Sequence, residues 1–114
     1  MDVLLTVDDL LAGAEATFEV VVPAELLPAG KNNGANGTDQ ASIVRIRPLT
    51  IGVFQLIMKA AKNDPGLIPL LMIKEALVEP ALSLEQAKRM PLGLIGFLIE
   101  NIREVSGLTK KKSR

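Results

Sequence analysis

The chain has 114 residues, with 13 basic and 13 acidic side chains and no histidine, cysteine, tryptophan or tyrosine. Its length suits one domain with a modest core, and its neutral charge and few aromatic side chains argue against nucleic-acid binding. The missing residue types exclude disulfides, thiol nucleophiles, imidazole bases and zinc sites of the usual Cys/His kind.

A short helix and two β-strands are predicted first along the chain. "TVDDLLAGA" has the pattern of a helix that is capped by Thr6 and closed by Gly13. Residues 17–22 and 42–47, "TFEVVV" and "SIVRIR", are rich in β-branched residues, and each is stopped by a proline. Residues 28–40 between them are dense in Gly and Asn, so we expect a mobile loop that joins an antiparallel pair.

From Thr50 onward the apolar period changes from two to about 3.6, which predicts helices. Thr50 caps the first of these, whose predicted buried stripe consists of Ile51, Phe54, Met58 and Ala61, widened by Val53 and Ile57. The second helix is predicted to start with Asp64 as cap and Pro65 in first position, or only at Pro69, and to continue to Val78. It is apolar on almost every side, which is typical of a buried helix.

Two further helices complete the pattern. "SLEQAKRM" has capping-box spacing from Ser83 to Gln86, and Pro91 starts the last helix. The predicted core stripe of the last helix consists of Ile95, Leu98, Ile99, Ile102 and Val105. Leu94 and Phe97 lie off this stripe, so the first two turns are apolar over a wide arc. We expect part of that arc to face a partner, because apolar patches of this kind mark interfaces.

Together these elements predict a mostly α (α+β) fold in one domain, residues 1–114. A short helix and an antiparallel β-hairpin within residues 1–48 pack on a bundle of three to four helices within residues 49–107. Residues 108–114 are predicted to form a disordered basic tail. Because two strands alone are marginally stable, they pack on the helices or pair with another copy of the chain, so self-association is a further expectation.

No reaction chemistry is expected from the remaining polar residues. Asp8 and Asp9 are adjacent on a short helix and point in different directions, as at a solvated helix end. Arg45 and Arg47 share a strand face and could bind a phosphate or a carboxylate, but a solvated outer face is the commoner arrangement. We therefore predict a protein that is not an enzyme, with no catalytic residue, cofactor or metal ion.

Membrane insertion and export are not expected either. The longest uncharged runs, "MPLGLIGFLI" and "PGLIPLLMI", are about half of the roughly 20 residues that span a bilayer. The start of the chain, "MDVLLTVDDLLAG", carries acidic residues where a signal peptide needs basic ones. The expected location is the cytoplasm.

The run from Val44 to Leu108 resembles the tail assembly chaperones of long-tailed bacteriophages and prophages. The resemblance lies in a strand followed by "RPLT" and a helix, then "DPGLIPLLMIKEALVEPALSLEQAKRMP", then a closing helix that ends in "SGL". The opening "TVDDLLAGAEATFEVVVP" also suits that family. None of these motifs is a catalytic signature.

The resemblance implies a non-enzymatic chaperone that coats the helical tape measure protein until tail tube subunits polymerise around it in the bacterial cytoplasm. The tape measure protein is then the main partner, and the tail tube subunit is a further one. The apolar helices agree with this, since a groove between them would take up amphipathic helices. The residues with surplus apolarity, nominated as the partner-binding set, are Leu67, Leu70, Leu71, Leu94 and Phe97.

Two other classes of protein fit the same residues. A structural subunit of a phage tail or of a related injection apparatus would polymerise through its strands into rings or tubes. A small helical adaptor would use the same apolar groove for a host protein.

Overall fold

The computed structural model describes residues 2–27 and 42–108. Within these ranges it confirms the predicted α+β class, with five α-helices and one three-stranded antiparallel sheet. The helices are α1 (Val7–Leu11), α2 (Ile51–Ala60), α3 (Leu67–Ala76), α4 (Leu84–Ala87) and α5 (Leu92–Val105), and the strands are β1 (Phe18–Val21), β2 (Ile43–Ile46) and β3 (Leu77–Glu79). The predicted mobile loop, residues 28–40, and the predicted basic tail after Leu108 lie outside the described residues.

The predicted helix caps are confirmed where they depend on local sequence. Thr6, Thr50 and Ser83 each precede a helix, and each side-chain hydroxyl accepts a hydrogen bond from the backbone N–H three residues on, at 3.1–3.2 Å. At Thr6 and Ser83 the side chain three positions on, Asp9 or Gln86, also accepts a hydrogen bond from the backbone N–H of the cap residue, which completes a capping box. These side chains satisfy backbone donors that the first turn of a helix leaves without a partner.

The sequence predicted that Gly13 closes the first helix, and this prediction is wrong. The backbone stays right-handed helical at Leu11 (φ −92°, ψ −11°) and at Ala12 (φ −59°, ψ −36°), and a 3₁₀ turn follows over Ala12–Glu15. Gly13 therefore lies inside this turn. A second 3₁₀ turn, Ala24–Leu26, follows β1.

The strands β1 and β2 form the predicted antiparallel pair, with Phe18 opposite Ile46 and Val20 opposite Val44. Alternate side chains on this pair turn to one face, and there Val20 and Ile46 are buried. The chain therefore uses one face of the sheet to cover the helices, which is one of the two arrangements expected from the sequence.

The end of the second helix was predicted wrongly. Helix α3 ends at Ala76 rather than at Val78, since Leu77 takes an extended backbone (φ −76°, ψ 115°). Residues Leu77–Glu79 instead form β3, which pairs antiparallel with β2. Two strands alone leave the second edge of β2 without hydrogen-bond partners, and the third strand supplies them. Leu77 is buried in this extended conformation.

The predicted stripe of α2 was partly wrong. Ile57 and Ala61 are buried and Val53 packs against the core, whereas Ile51 is 73% and Met58 43% exposed. The buried stripe is therefore the i, i+4, i+8 row that starts at Val53. Because α2 is apolar on most sides, its periodicity does not choose between these rows.

The start of α3 also differs from the prediction. Its first residue is Leu67, after Gly66 as N-cap, and the Asp64 side chain accepts a hydrogen bond from the Gly66 N–H at 3.2 Å. Asp64 therefore shapes the preceding turn rather than capping the helix. Pro69 stands in the first turn of α3, where the missing N–H has no intrahelical partner to lose.

The core lies around α3, which contacts α2, α4, α5 and β3. Three large side chains, Ile46 of β2, Ile73 of α3 and Ile102 of α5, are completely buried. The predicted stripe of α5 is confirmed, since Leu98 and Ile102 are buried and Ile95, Ile99 and Val105 pack against the cluster. Strand residues and helix residues therefore share one apolar cluster.

Helix α5 ends in a Schellman motif. Gly107 has a positive φ of 78°, the Leu108 N–H donates to the Arg103 carbonyl at 2.8 Å, and the Gly107 N–H donates to the Glu104 carbonyl at 3.1 Å. Just before the glycine, the Ser106 hydroxyl accepts a hydrogen bond from the Leu49 N–H at 2.8 Å. The end of α5 is thereby tied to the segment that leads from the sheet into α2.

Two glycine substitutions, one just after the end of α5 and one within it, should have opposite effects. We expect Gly107→Ala to lower the free energy of unfolding by about 1 kcal/mol, because an L side chain at positive φ is strained even though a Cβ there meets nothing within 4 Å. Gly96→Ala is the matched control: its Cβ also meets nothing within 4 Å, and a helical backbone should gain about 0.5–1 kcal/mol. Urea unfolding measures both, and a stabilising Gly107→Ala would contradict the described C-cap.

Candidate protein-binding surface

The residues nominated from sequence are half-buried rather than fully exposed. Leu67, Leu70 and Leu71 lie on α3, and Leu94 and Phe97 lie on α5. Leu71, Leu94 and Phe97 pack against the central cluster. Part of the apolar surface of these three residues is therefore covered within the chain. The role of all five nominated residues in partner binding stays a prediction.

The largest exposed apolar segment lies at the start of the chain. Every residue from Asp2 to Leu11, here called the N-terminal arm, is exposed. Its large apolar side chains keep between 58% and 94% of their surface in contact with solvent: Val3, Leu4, Leu5, Val7, Leu10 and Leu11. This arm is a segment that sequence reasoning missed as a binding candidate.

The arm is an ordered helix start despite its exposure. The Asp9 carboxylate accepts a hydrogen bond from the Thr6 N–H at 2.9 Å, while the Thr6 hydroxyl accepts one from the Asp9 N–H. Hydrogen bonding of the Asp9 carboxylate to the Thr6 backbone N–H first, and to the Thr6 side chain second, holds the pKa of Asp9 below its ordinary value. Leu5 and Leu10 occupy the N′ and N4 positions of this cap, the spacing of a hydrophobic staple. The arm therefore presents exposed apolar side chains on a backbone that these hydrogen bonds order.

An open apolar groove runs between α2 and α3. It encloses about 320 Å³ and is lined by Val53, Leu56, Ile57, Ala60, Leu71 and Glu75. Leu56 is 65% exposed at its rim, while Ile57 is buried at its base. Of the nominated residues, the structure brings only Leu71 into this α2/α3 groove. Leu56 was not nominated, and it also lies outside the buried stripe that was predicted for α2.

The two arginines considered for anion binding interact with the protein itself. Arg45 bridges the sheet, with Nη2 2.8 Å from the Glu19 carboxylate and Nη1 2.5 Å from the Glu79 carboxylate. Both contacts, that with Glu79 first, raise the pKa of the Arg45 guanidinium. Arg47 donates from Nε to the Glu75 carbonyl at 3.1 Å. These side chains order the outer face of the sheet.

Within residues 2–27 and 42–108, no group of three or more acidic side chains is placed to hold a metal ion. Among the helices of the same ranges, none is long and apolar enough to cross a membrane, and the longest, α5, has 14 residues.

Comparison of the chain with protein-family models, with curated proteins and with solved structures finds no match. The relationship to the tail assembly chaperones accordingly stands on the sequence resemblance alone.

The exposure of the arm predicts that its apolar side chains add little to folding stability. We expect Leu4→Ser to change the free energy of unfolding by less than about 0.5 kcal/mol, because Leu4 is 94% exposed. Leu98→Ala is the control, since Leu98 is 3% exposed and its truncation should cost about 2–5 kcal/mol. Urea unfolding of dilute protein measures both. A large loss on Leu4→Ser would mean that the arm packs on its own chain.

The cap of α1 should depend on pH. The lowered pKa of Asp9 means that its contribution to the helix is present above 3.8, the ordinary pKa, and is lost as the pH falls through the folded-state pKa. An NMR titration of the Asp9 carboxyl should therefore give a midpoint below 3.8, and Thr6→Ala should move that midpoint back toward 3.8. An Asp9 midpoint at or above this value in the unmodified chain would contradict the capping box.

Proposed function

We propose that this chain is a non-enzymatic tail assembly chaperone, which binds the tape measure protein of a long-tailed phage or prophage in the bacterial cytoplasm before the tail tube polymerises. The observation that carries the proposal is the open α2/α3 groove with Leu56 exposed at its rim. The resemblance of residues 44–108 to that family supplies the identity of the client.

The dimensions of the groove suit the side chains of a helix. Along α2 its lining runs from Val53 to Ala60, eight residues or about 10 Å of helix, which is close to two turns of a client helix. Amphipathic helices dock in such grooves through apolar anchors at i, i+3, i+4 and i+7. A long helical client that repeats this spacing would offer many equivalent segments, so that many copies of the chaperone could cover it.

The chemistry of the groove favours apolar contact with a small polar component. Five of its six lining residues are apolar, and the sixth, Glu75, lies 3.6 Å from the Lys74 ammonium. Apolar burial without many directional bonds tolerates different client segments, because the hydrophobic effect depends on area rather than on orientation. A protein that must coat a long helix needs this tolerance.

Co-expression with the tape measure protein of the same phage or prophage tests the proposal. We expect a soluble complex, detected by affinity capture and light scattering, because the groove shields apolar faces that otherwise aggregate. Leu56→Asp should weaken capture at least tenfold, since it places a charge at the rim of an apolar site.

Leu92→Asp on α5 is the matched control, because Leu92 is 86% exposed and does not line the groove. Both variants should keep the circular dichroism spectrum of the unmodified chain. Leu94 and Phe97 are less suitable probes, since they pack against the core. Equal capture by Leu56→Asp, or an insoluble client, would contradict the proposal, and rings or tubes formed by this chain alone would favour a structural subunit.

A further inference from the structure

The N-terminal arm and the α2/α3 groove are neighbouring apolar surfaces. Ala14, three residues after the arm, lines a small cavity of about 120 Å³ together with Val53 and Glu75. Val53 and Glu75 also line the α2/α3 groove. The segment that carries the arm therefore passes beside the groove.

The helical backbone of the arm lies outside the groove of its own chain, since Leu10 and Leu11 are 68% and 59% exposed. Val7–Leu11 runs into Ala12–Glu15 without leaving the right-handed helical region, so these nine residues form one rod about 15 Å long. Extended backbone follows at Ala16 (φ −75°, ψ 148°), so the rod is a unit of its own. A groove on a second copy can receive the arm with the rod intact.

The charges of the two surfaces are complementary. The arm carries Asp2, Asp8 and Asp9, and the first basic residue of the chain is Lys31. Residues 47–63, which include α2, contain Arg47, Lys59 and Lys62 and no acidic residue. Glu75 on the opposite wall lies beside the Lys74 ammonium, which offsets its charge. An acidic apolar arm thus fits the α2 side of the groove.

The area is sufficient for a stable dimer. If Val3, Leu4, Val7, Leu10 and Leu11 each bury about 60–120 Å², one arm removes roughly 300–600 Å² of its own surface from water. Two arms and the surfaces that they cover then bury roughly 1,200–2,400 Å², which reaches the size of specific interfaces. Reciprocal exchange of arms is a closed two-fold arrangement and leaves neither groove empty.

We propose that two copies of this chain form a symmetric dimer in which the N-terminal arm of each copy occupies the α2/α3 groove of the other. Val7, Leu10 and Leu11 enter the groove beside Leu56, and Asp8 and Asp9 face Lys59 and Lys62. This dimer needs no client, and a client helix in the same groove would compete with the arm.

Sedimentation equilibrium of the purified full chain tests the dimer. We expect Leu10→Asp and Leu56→Asp each to raise the dimer dissociation constant by roughly 100-fold or more, because each places a carboxylate in an apolar contact. Leu92→Asp, with a similarly exposed leucine outside both surfaces, should leave the constant within about twofold. A monomeric unmodified chain at 100 µM or above, or an unchanged constant in both variants, would overturn the proposal.

Engineered cysteines separate exchange between copies from closure within one copy, since the natural chain has no cysteine. A mixture of Leu10→Cys and Leu56→Cys chains should give a disulfide-linked heterodimer under mild oxidation, and a mixture of Leu10→Cys and Leu92→Cys should not. The Leu10→Cys/Leu56→Cys double variant should run as a covalent dimer without reductant. An internally linked monomer would overturn exchange in favour of closure within one chain.

These measurements are made without the tape measure protein, so they are independent of the proposed function. A monomer that still captures the client would overturn the dimer alone. A monomeric Leu10→Asp variant, whose arm does not fill the groove, that captures no client would overturn the chaperone function alone.

Discussion

The enclosure of α3 by four neighbouring elements is the constraint on which the rest of this structure depends. A helix with apolar side chains around most of its circumference cannot lie at a surface, so other elements must enclose it. Here α2, α4 and α5 and the strand that follows α3 provide that enclosure. Ala76 and Ala87 are completely buried, and their small side chains let the backbones of α3 and α4 approach closely.

Because the chain is short, most of its helices and strands take part in enclosing this one apolar helix. The core of the described residues consists of aliphatic side chains and one methionine, with no buried polar or charged group among them. Such a core gains stability from area and packing rather than from directional bonds. The specificity of the fold therefore rests on the helix ends, the turns and the outer face of the sheet, where the polar residues are.

Sequence reasoning succeeded where the determinant was local. The caps at Thr50 and Ser83 depend on residues only three positions apart, and alternation within six residues was enough to place β1 and β2. It failed where two structures share one local pattern. Leu77 and Val78 fit the end of an apolar helix as well as a buried strand, and only the free edge of β2, distant in sequence, decides between them.

The binding surface was harder to predict for a related reason. Hydrophobic periodicity identifies the apolar side of a segment, but it does not say whether the fold has another element to cover that side. Leu94 and Phe97 find such cover beneath α5, whereas Leu4 and Leu10 do not. The exposed fraction of a side chain is a property of the whole packing arrangement, and a single sequence carries it only indirectly.

The bridge from Arg45 to Glu19 and Glu79 has a consequence for the alignment of the strands. Both carboxylates belong to outer strands and the guanidinium to the central one, so a single cation spans the width of the sheet. If β2 slid by one residue along its neighbours, Arg45 would turn toward the aliphatic core and Ile46 toward water. Electrostatic attraction on one face and apolar burial on the other thus favour the same register. If β1 or β3 slipped, the sheet would lose an ion pair of Arg45 and the apolar contacts on its opposite face.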